Sequence, residues 1–259
     1  MKLDLAAPHQ TYLAADGRKL TGVTTYLGVL AKPALLGWYA QMEREGIAEA
    51  LRHGGYVKEM FPTKPDGKPL WFAEAKRDKA ADLGTVIHAR CEAFNIGEEL
   101  EPDGIPADLY EKSVHGFERY KAWLSESGLT VLRAEEQFVW EGKDDDGSPM
   151  AFGGTRDVVC ADSQGRLVLV DLKSSKASAY WPYDETYAQV AAYAYPEAAG
   201  IERIAVVRVG KEEDDPGQQV WLTELQREVG WNLFCGAYWA FESKKALARA
   251  NTAARKGGK

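Results

Sequence analysis

The 259-residue chain has only three cysteines, Cys91, Cys160 and Cys235, and no two of them form a Cys-x-x-Cys pair. That argues against a disulfide framework, a zinc ribbon or a four-cysteine iron–sulfur site, and leaves each thiol as a small apolar residue in a reducing compartment. No apolar run approaches the roughly 18–20 residues that span a bilayer. The opening Met1-Lys2-Leu3-Asp4 has neither the apolar core of a signal peptide nor the Arg-rich, acid-poor look of a transit peptide, so a cytoplasmic protein with no membrane partner is expected. A Gly-x-x-x-x-Gly-Lys-Ser/Thr loop is absent as well, and with it a fused NTPase motor. Nor is there an overall excess of positive charge: 32 Lys+Arg stand against 39 Asp+Glu, for a net charge of −7.

What is present suits an ordered globular chain. It is 45% hydrophobic and 27% charged, and its eight Trp, twelve Tyr and eight Phe exclude disorder as the main state. The charge is unevenly placed. Residues 243–259 hold Lys244, Lys245, Arg249, Arg255, Lys256 and Lys259 and no acidic residue, so −7 overall with +6 here leaves −13 on residues 1–242. Two readings of that tail stay open, a frayed solubilising terminus and a local nucleic-acid contact.

Periodicity divides the chain. A helical N-terminal extension (1–69) ends in a loop marked by Gly54-Gly55, Pro62, Pro65, Asp66-Gly67 and Pro69. A long helix is predicted from about Leu70 to Phe94, and a second through Tyr110, Val114, Phe117, Tyr120 and Leu124, stopped at Gly128. The period then changes. Strands are predicted at 130–140 and 151–160, joined by a polar turn with Asp144, Asp145 and Asp146, a solvated hairpin tip. Leu167–Lys173 reads as a buried central strand. A helix over Asp184–Tyr195, strands at Ile204–Val209 and Val220–Leu222, and a last helix capped by Thr223 and Gln226 follow. The expected fold class is α/β (α+β), a mixed sheet flanked by helices. The core spans 70–242 and the basic tail 243–259.

The central strand carries the chemistry. Its alternation puts Asp171 and Lys173 on one face at its C-terminal end. The hairpin turning at Ser163-Gln164-Gly165 brings Asp157, just after Gly153-Gly154, toward Asp171. One strand earlier, alternation puts Leu132, Ala134, Glu136, Phe138 and Trp140 on one face and Glu135 on the other, so Glu136 is the preferred third carboxylate. Two carboxylates about 5 Å apart repel by roughly 3 kcal/mol at an effective dielectric near 20. A convergence of three calls for a proton or a hard divalent ion such as Mg2+ or Mn2+. Lys173 could then orient a water, act as its base, or neutralise a phosphate oxygen. His88 offers a further ligand, with Gly84 one turn before it allowing close backbone approach.

Gly84-x-x-x-His88, Glu136-x-x-Val139, Gly154-Thr155-x-Asp157, Asp171-Leu172-Lys173 and Gln189-x-x-x-Tyr193 together resemble, in order and over about 110 residues, the PD-(D/E)XK nuclease superfamily. The likeness is to its RecB-like branch of CRISPR-adaptation, mitochondrial genome maintenance and phage exonucleases. The resemblance implies a restriction-endonuclease-like core. His88, Asp157, Asp171 and the Leu172 carbonyl would hold one or two Mg2+ or Mn2+ ions. Lys173 would position or activate water, Glu136 would support a second metal or the DNA end, and Gln189 and Tyr193 would contact the phosphate or Lys173. Without the four cysteines of some relatives, no iron–sulfur cluster is expected. The implied activity is a DNA exonuclease leaving 5′-phosphates, in phage or prokaryotic recombination or repair. Its partners would be linear single- or double-stranded DNA ends and, by the same resemblance, a recombinase or single-strand-binding protein. Lys76, Arg77, Arg90 and the tail are candidate phosphate contacts, and Trp71, Phe72 and Trp181 are candidate base-stacking or core residues. An endonuclease of the same fold, a non-cleaving DNA-binding module and a hydrolase of small phosphate esters remain open alternatives.

Overall fold

The computed structural model describes residues 1–5, 10–30, 33–52, 62–63, 67–175, 181–197, 200–211 and 215–257. A short antiparallel pair, β1 (Tyr12–Leu13) and β2 (Lys19–Leu20), leads into α1 (Val23–Leu27) and α2 (Pro33–Arg52). Two long helices follow, α3 (Phe72–Asn95) and α4 (Ala107–Ser127). Then come β3 (Thr130–Lys143), β4 (Pro149–Ala161) and β5 (Leu167–Ser174), the crossover helix α5 (Asp184–Ala194), β6 (Ile201–Val209), β7 (Gln218–Trp221) and α6 (Glu224–Gly257). Pro196 lies in a 3-10 turn directly after α5, as a residue without an amide donor should. The Thr223–Gln226 capping box forms, with Thr223 N on Gln226 Oε1 at 2.9 Å and Gln226 N on Thr223 Oγ1 at 3.2 Å.

Five strands make one sheet in the order β3-β4-β5-β6-β7, and only the β5–β6 pair is parallel. That pair is joined through α5, as a parallel connection requires. The expected mixed sheet between helices is what the chain forms. Val158, Val168, Val170, Leu172 and Val207 on one face bury against Ile87 and Cys91 of α3 and Tyr120 of α4. On the other face, Phe152, Val159, Leu169, Ile204 and Val206 meet α5, α6 and the α1 residues Val23, Tyr26 and Leu27. Burial on both faces explains the near-continuous apolar run of β5.

The N-terminal segment is more than a helical extension. Tyr12 of β1 reaches β4, its hydroxyl 3.1 Å from Thr155 Oγ1, and α1 lies within the main core. Two-residue strands are too short to give a period in sequence. At the other end, residues 243–257 continue α6 without a break.

Helices α5 and α6 approach closely at Gly230. A side-chain carbon there would lie 2.6 Å from the Tyr187 carbonyl oxygen and 3.1 Å from Ala191 Cβ. Because the obstacle is backbone, Gly230→Ala is expected to lower stability by about 1–2 kcal/mol, overpacking outweighing the gain in helix propensity. Urea denaturation would read this, and an unchanged midpoint would refute it.

Candidate active site

The β4–β5 ladder runs from Ala161–Leu167 to Val158–Val170. One step further the same register sets Asp157 opposite Asp171, and there the strands part. The Leu172 amide donates not to a neighbouring carbonyl but to Asp157 Oδ2, at 2.7 Å. Across the other edge of β4, the pairs Ala134–Val158 and Glu136–Arg156 bracket Glu135, so the register sets it opposite Asp157. Three carboxylates thus form a row over three adjacent strands.

Helix α3 brings His88 to this row. It can lie against the end of β5 because residue 84 is glycine; a side-chain carbon there would sit 2.5 Å from Ser174 Oγ. His88 Nδ1 is 3.8 Å from Asp157 Oδ2, and ligand atoms of His88, Glu135 and Asp157 all lie within 4.8 Å of one another. Asp171 is engaged from the opposite side. Its Oδ2 is 2.9 Å from Lys173 Nζ, yet this buried oxygen accepts no well-directed hydrogen bond. Gln189 ties the group together: its Oε1 accepts from Lys173 at 3.0 Å, and its Nε2 donates to Tyr193 Oη at 3.1 Å and to Asp171 Oδ1 at 3.4 Å. A groove of about 570 Å³ reaches the cluster, with Arg77, Thr85, Ser174 and Lys211 in its walls.

The electrostatics follow from partial burial of like charges. Desolvation, reinforced by Asp157, Glu92 and Asp171, pushes the Glu135 carboxyl up to about 8. Desolvation, with Asp157 adding to it and Lys173 opposing, raises Asp171 to about 6, and Asp157 is raised by desolvation too. His88 goes the other way, to about 4, through desolvation and then the Lys173 charge. Its imidazole is therefore neutral, so its approach to Asp157 is not an ion pair, and a neutral ring is the form that ligates a metal. Burial pulls the Lys173 ammonium down, but Asp171 and Asp157 more than offset it and hold its pKa above the ordinary lysine range. Lys173 is thus a fixed cation rather than a base in the metal-free protein.

These residues fit a divalent cation. Carboxylate oxygens and one neutral nitrogen converge, and the carboxylates are raised by desolvation, a cost that a bound cation offsets. A pH signature follows. Glu135 and Asp171 bind protons more tightly folded than at their ordinary values of 4.5 and 3.8, and His88, depressed from 6.5, offsets part of this at lower pH, so the fall in metal-free stability that Glu135 alone drives lies between about 6.5 and about 8. A bound cation removes that penalty. The rise in melting temperature on adding Mg2+ or Mn2+ is accordingly expected to be larger at pH 8.5 than at pH 5.5. Equal increments at both would contradict this account.

Most residues singled out from the sequence come together: His88 with Asp157, and Asp171, Lys173, Gln189 and Tyr193 in one hydrogen-bonded group. Glu136 does not join them. It pairs with Arg133 at 3.0 Å and with buried Arg156 at 2.9 Å, and Glu135 takes the place by His88 and Asp157. Alternation holds along this part of β3, with Glu136 on the face of Phe138 and Trp140 toward α5, but His88 approaches from α3 on the opposite face, where Glu135 stands with a φ of 46°. Counting back from the hairpin turn, where Lys143 faces Pro149, would have set Glu135 opposite Asp157. Leu172 enters through its amide on Asp157, while its side chain lies in the core.

Of the candidate phosphate contacts, Arg77 lines the groove, Lys76 pairs with Glu45 at 3.5 Å, and Arg90 is held away from it. Arg90 donates to Ser113 Oγ at 2.6 Å and lies over the Tyr110 ring. Trp181 is a core residue and Trp71 is exposed. Asp144 organises its turn, accepting from Ser148 N at 2.7 Å and from Trp239 Nε1 at 2.9 Å. His9 and His53 lie outside the described residues. Lys211 and Thr85 had no signal in the sequence; Lys211, just after β6, and Thr85, on α3, reach the groove beside Ser174 at the end of β5.

No family model matches this chain, and no curated protein matches it. Similar solved structures include that of SSO0001, 13% identical over 60% of this chain and 73% of that one, with a TM-score of 0.33. Another is a protein of Eubacterium rectale described as a "putative exonuclease", 10% identical over 65% of this chain and 71% of that one, with a TM-score of 0.40. Likenesses this distant carry no argument about the activity.

Proposed function

We propose that this protein is a Mg2+- or Mn2+-dependent deoxyribonuclease acting on the ends of linear DNA. The observation that carries the reading is the carboxylate row Glu135–Asp157–Asp171 with neutral His88 on one side and the Lys173 ammonium on the other. His88, Glu135 and Asp157, with Asp171, would hold the cation. When bound, it supplies positive charge to the phosphodiester and a more acidic water. Lys173 places a fixed positive charge beside Asp171, where it can neutralise charge growing on a phosphate oxygen. Gln189, anchored on Tyr193, holds the Lys173 ammonium in one orientation, and Arg77 and Lys211 offer positive charge along the approach. Hydrolysis forms a bond from water oxygen to phosphorus and breaks the bond from phosphorus to the 3′ oxygen, leaving a 5′-phosphate.

The preference for ends, and the setting in phage or prokaryotic recombination or repair alongside a recombinase or single-strand-binding protein, rest on the motif resemblance. The test is a time course on end-labelled linear DNA, single- and double-stranded, beside closed circles, each with Mg2+, Mn2+ or chelator. Metal-dependent loss from ends with intact circles is the expected result. Cutting of circles would make the enzyme an endonuclease, and binding without cleavage would overturn the enzymatic reading.

A further inference from the structure

The final part of α6 is not explained by the fold. From Ala246 to Arg255 every residue is exposed, Leu247 at 62%. Ten helical residues without a buried face gain no stability from burial. Five alanines sustain the helix by propensity, while Lys245 and Arg249, one turn apart, oppose it by repulsion. Cations favour the last turn of a helix through its dipole, but Lys244, Lys245 and Arg249 lie two or more turns before Gly257, beyond that reach. Among the described residues, Lys244, Arg249 and Arg255 form no ion pair.

The arm also has a defined origin. Trp239 Nε1 bonds to Asp144 Oδ2 at 2.9 Å, so α6 passes the β3–β4 turn just before it leaves the body. Glu135 lies nine residues back along β3, about 30 Å at roughly 3.3 Å per residue. That equals about nine base-pair steps of B-form DNA.

We propose that this basic arm, whose origin at Trp239 lies about 30 Å along β3 from the metal-ligand cluster, clamps the phosphate backbone of duplex DNA, an inference that rests on the nuclease reading above. Residues 1–242 carry −13 and repel a polyanion, so the +6 of residues 243–259, with Lys244, Arg249 and Arg255 on the described arm, supplies the attraction that the body lacks.

The test is the triple variant Lys244→Gln, Arg249→Gln, Arg255→Gln, which keeps helix-forming side chains. Anisotropy of a labelled 30-base-pair duplex in chelator, titrated with salt, should show the slope of log affinity against log salt falling by about 2–3 for three lost phosphate contacts. With metal, kcat/KM on that duplex should drop at least about tenfold, the size that salt slope implies at moderate ionic strength. On a single-stranded hexanucleotide, too short to reach the arm, it should stay within about twofold of wild type, the duplex contacts alone being lost. Unchanged affinity and slope would overturn the clamp, as would an equal loss on both substrates. A wild type whose duplex binding depends on these three residues, but which cuts neither substrate with either metal, would remove the nuclease reading and leave the clamp standing.

Discussion

Replacing Lys173 with methionine is expected to slow metal-dependent DNA hydrolysis by about 10³-fold or more while metal binding persists. Methionine keeps the unbranched stem and removes only the charged end. The loss follows from position: Nζ lies 2.9 Å from Asp171 Oδ2 and 3.0 Å from Gln189 Oε1, a fixed charge at the end of the carboxylate row. Metal should still raise the melting temperature, because His88, Glu135 and Asp157 remain. Initial rates on end-labelled DNA, with thermal melts in Mn2+ and in chelator, separate the two effects. A variant retaining more than about a tenth of the rate would show that Lys173 serves only the fold, since removing a charge-stabilising group costs at least a hundredfold.

Neighbouring glutamates provide the second large contrast. Glu135→Gln removes the charge of a carboxylate in the His88–Asp157 cluster, so metal affinity should fall at least about tenfold with little loss of metal-free stability. Relief of the buried charge and of its repulsion with Asp157 should raise the melting temperature above pH 7. Glu136→Gln should do the reverse. It removes the carboxylate that meets the buried guanidinium of Arg156, which also donates to Tyr193 O and lies over the face of Phe138, at a cost of about 2–3 kcal/mol. Metal affinity should be untouched. Calorimetric titration with Mn2+ and urea denaturation of both variants decide the matter. If Glu136→Gln loses the metal and Glu135→Gln does not, the assignment of Glu135 to the metal-ligand cluster is wrong.

That pair also marks where sequence reasoning stops. Alternation is reliable in a regular strand, and β5 is regular, so Asp171 and Lys173 were legible with their shared face. The hairpin partner Asp157 was legible as well, because a short turn at 163–165 leaves one register. In β3 the alternation of Glu136, Phe138 and Trp140 holds too, but which face of that strand meets His88 depends on how α3 packs across the sheet, and that has no local sequence signal. Arg90 misled for a related reason: a cation in a helix reads as a surface contact until Ser113 and Tyr110 are seen to enclose it.

Local order was within reach of the residues themselves. The change from a 3.6 to a 2.0 period, the Thr223–Gln226 cap, the proline after α5 and the apolar run of β5 each follow from short-range backbone and burial preferences, and together they define the mixed sheet between helices. The tertiary structure decided which atoms meet. It set Glu135 rather than Glu136 beside His88, tied Lys173 to Tyr193 through Gln189, brought Lys211 to the groove from β6, and extended the basic tail as a helical arm. Those outcomes depend on the register between distant strands and on helices meeting across the sheet, which come from the sum of many long-range contacts and leave no mark on any one stretch of chain.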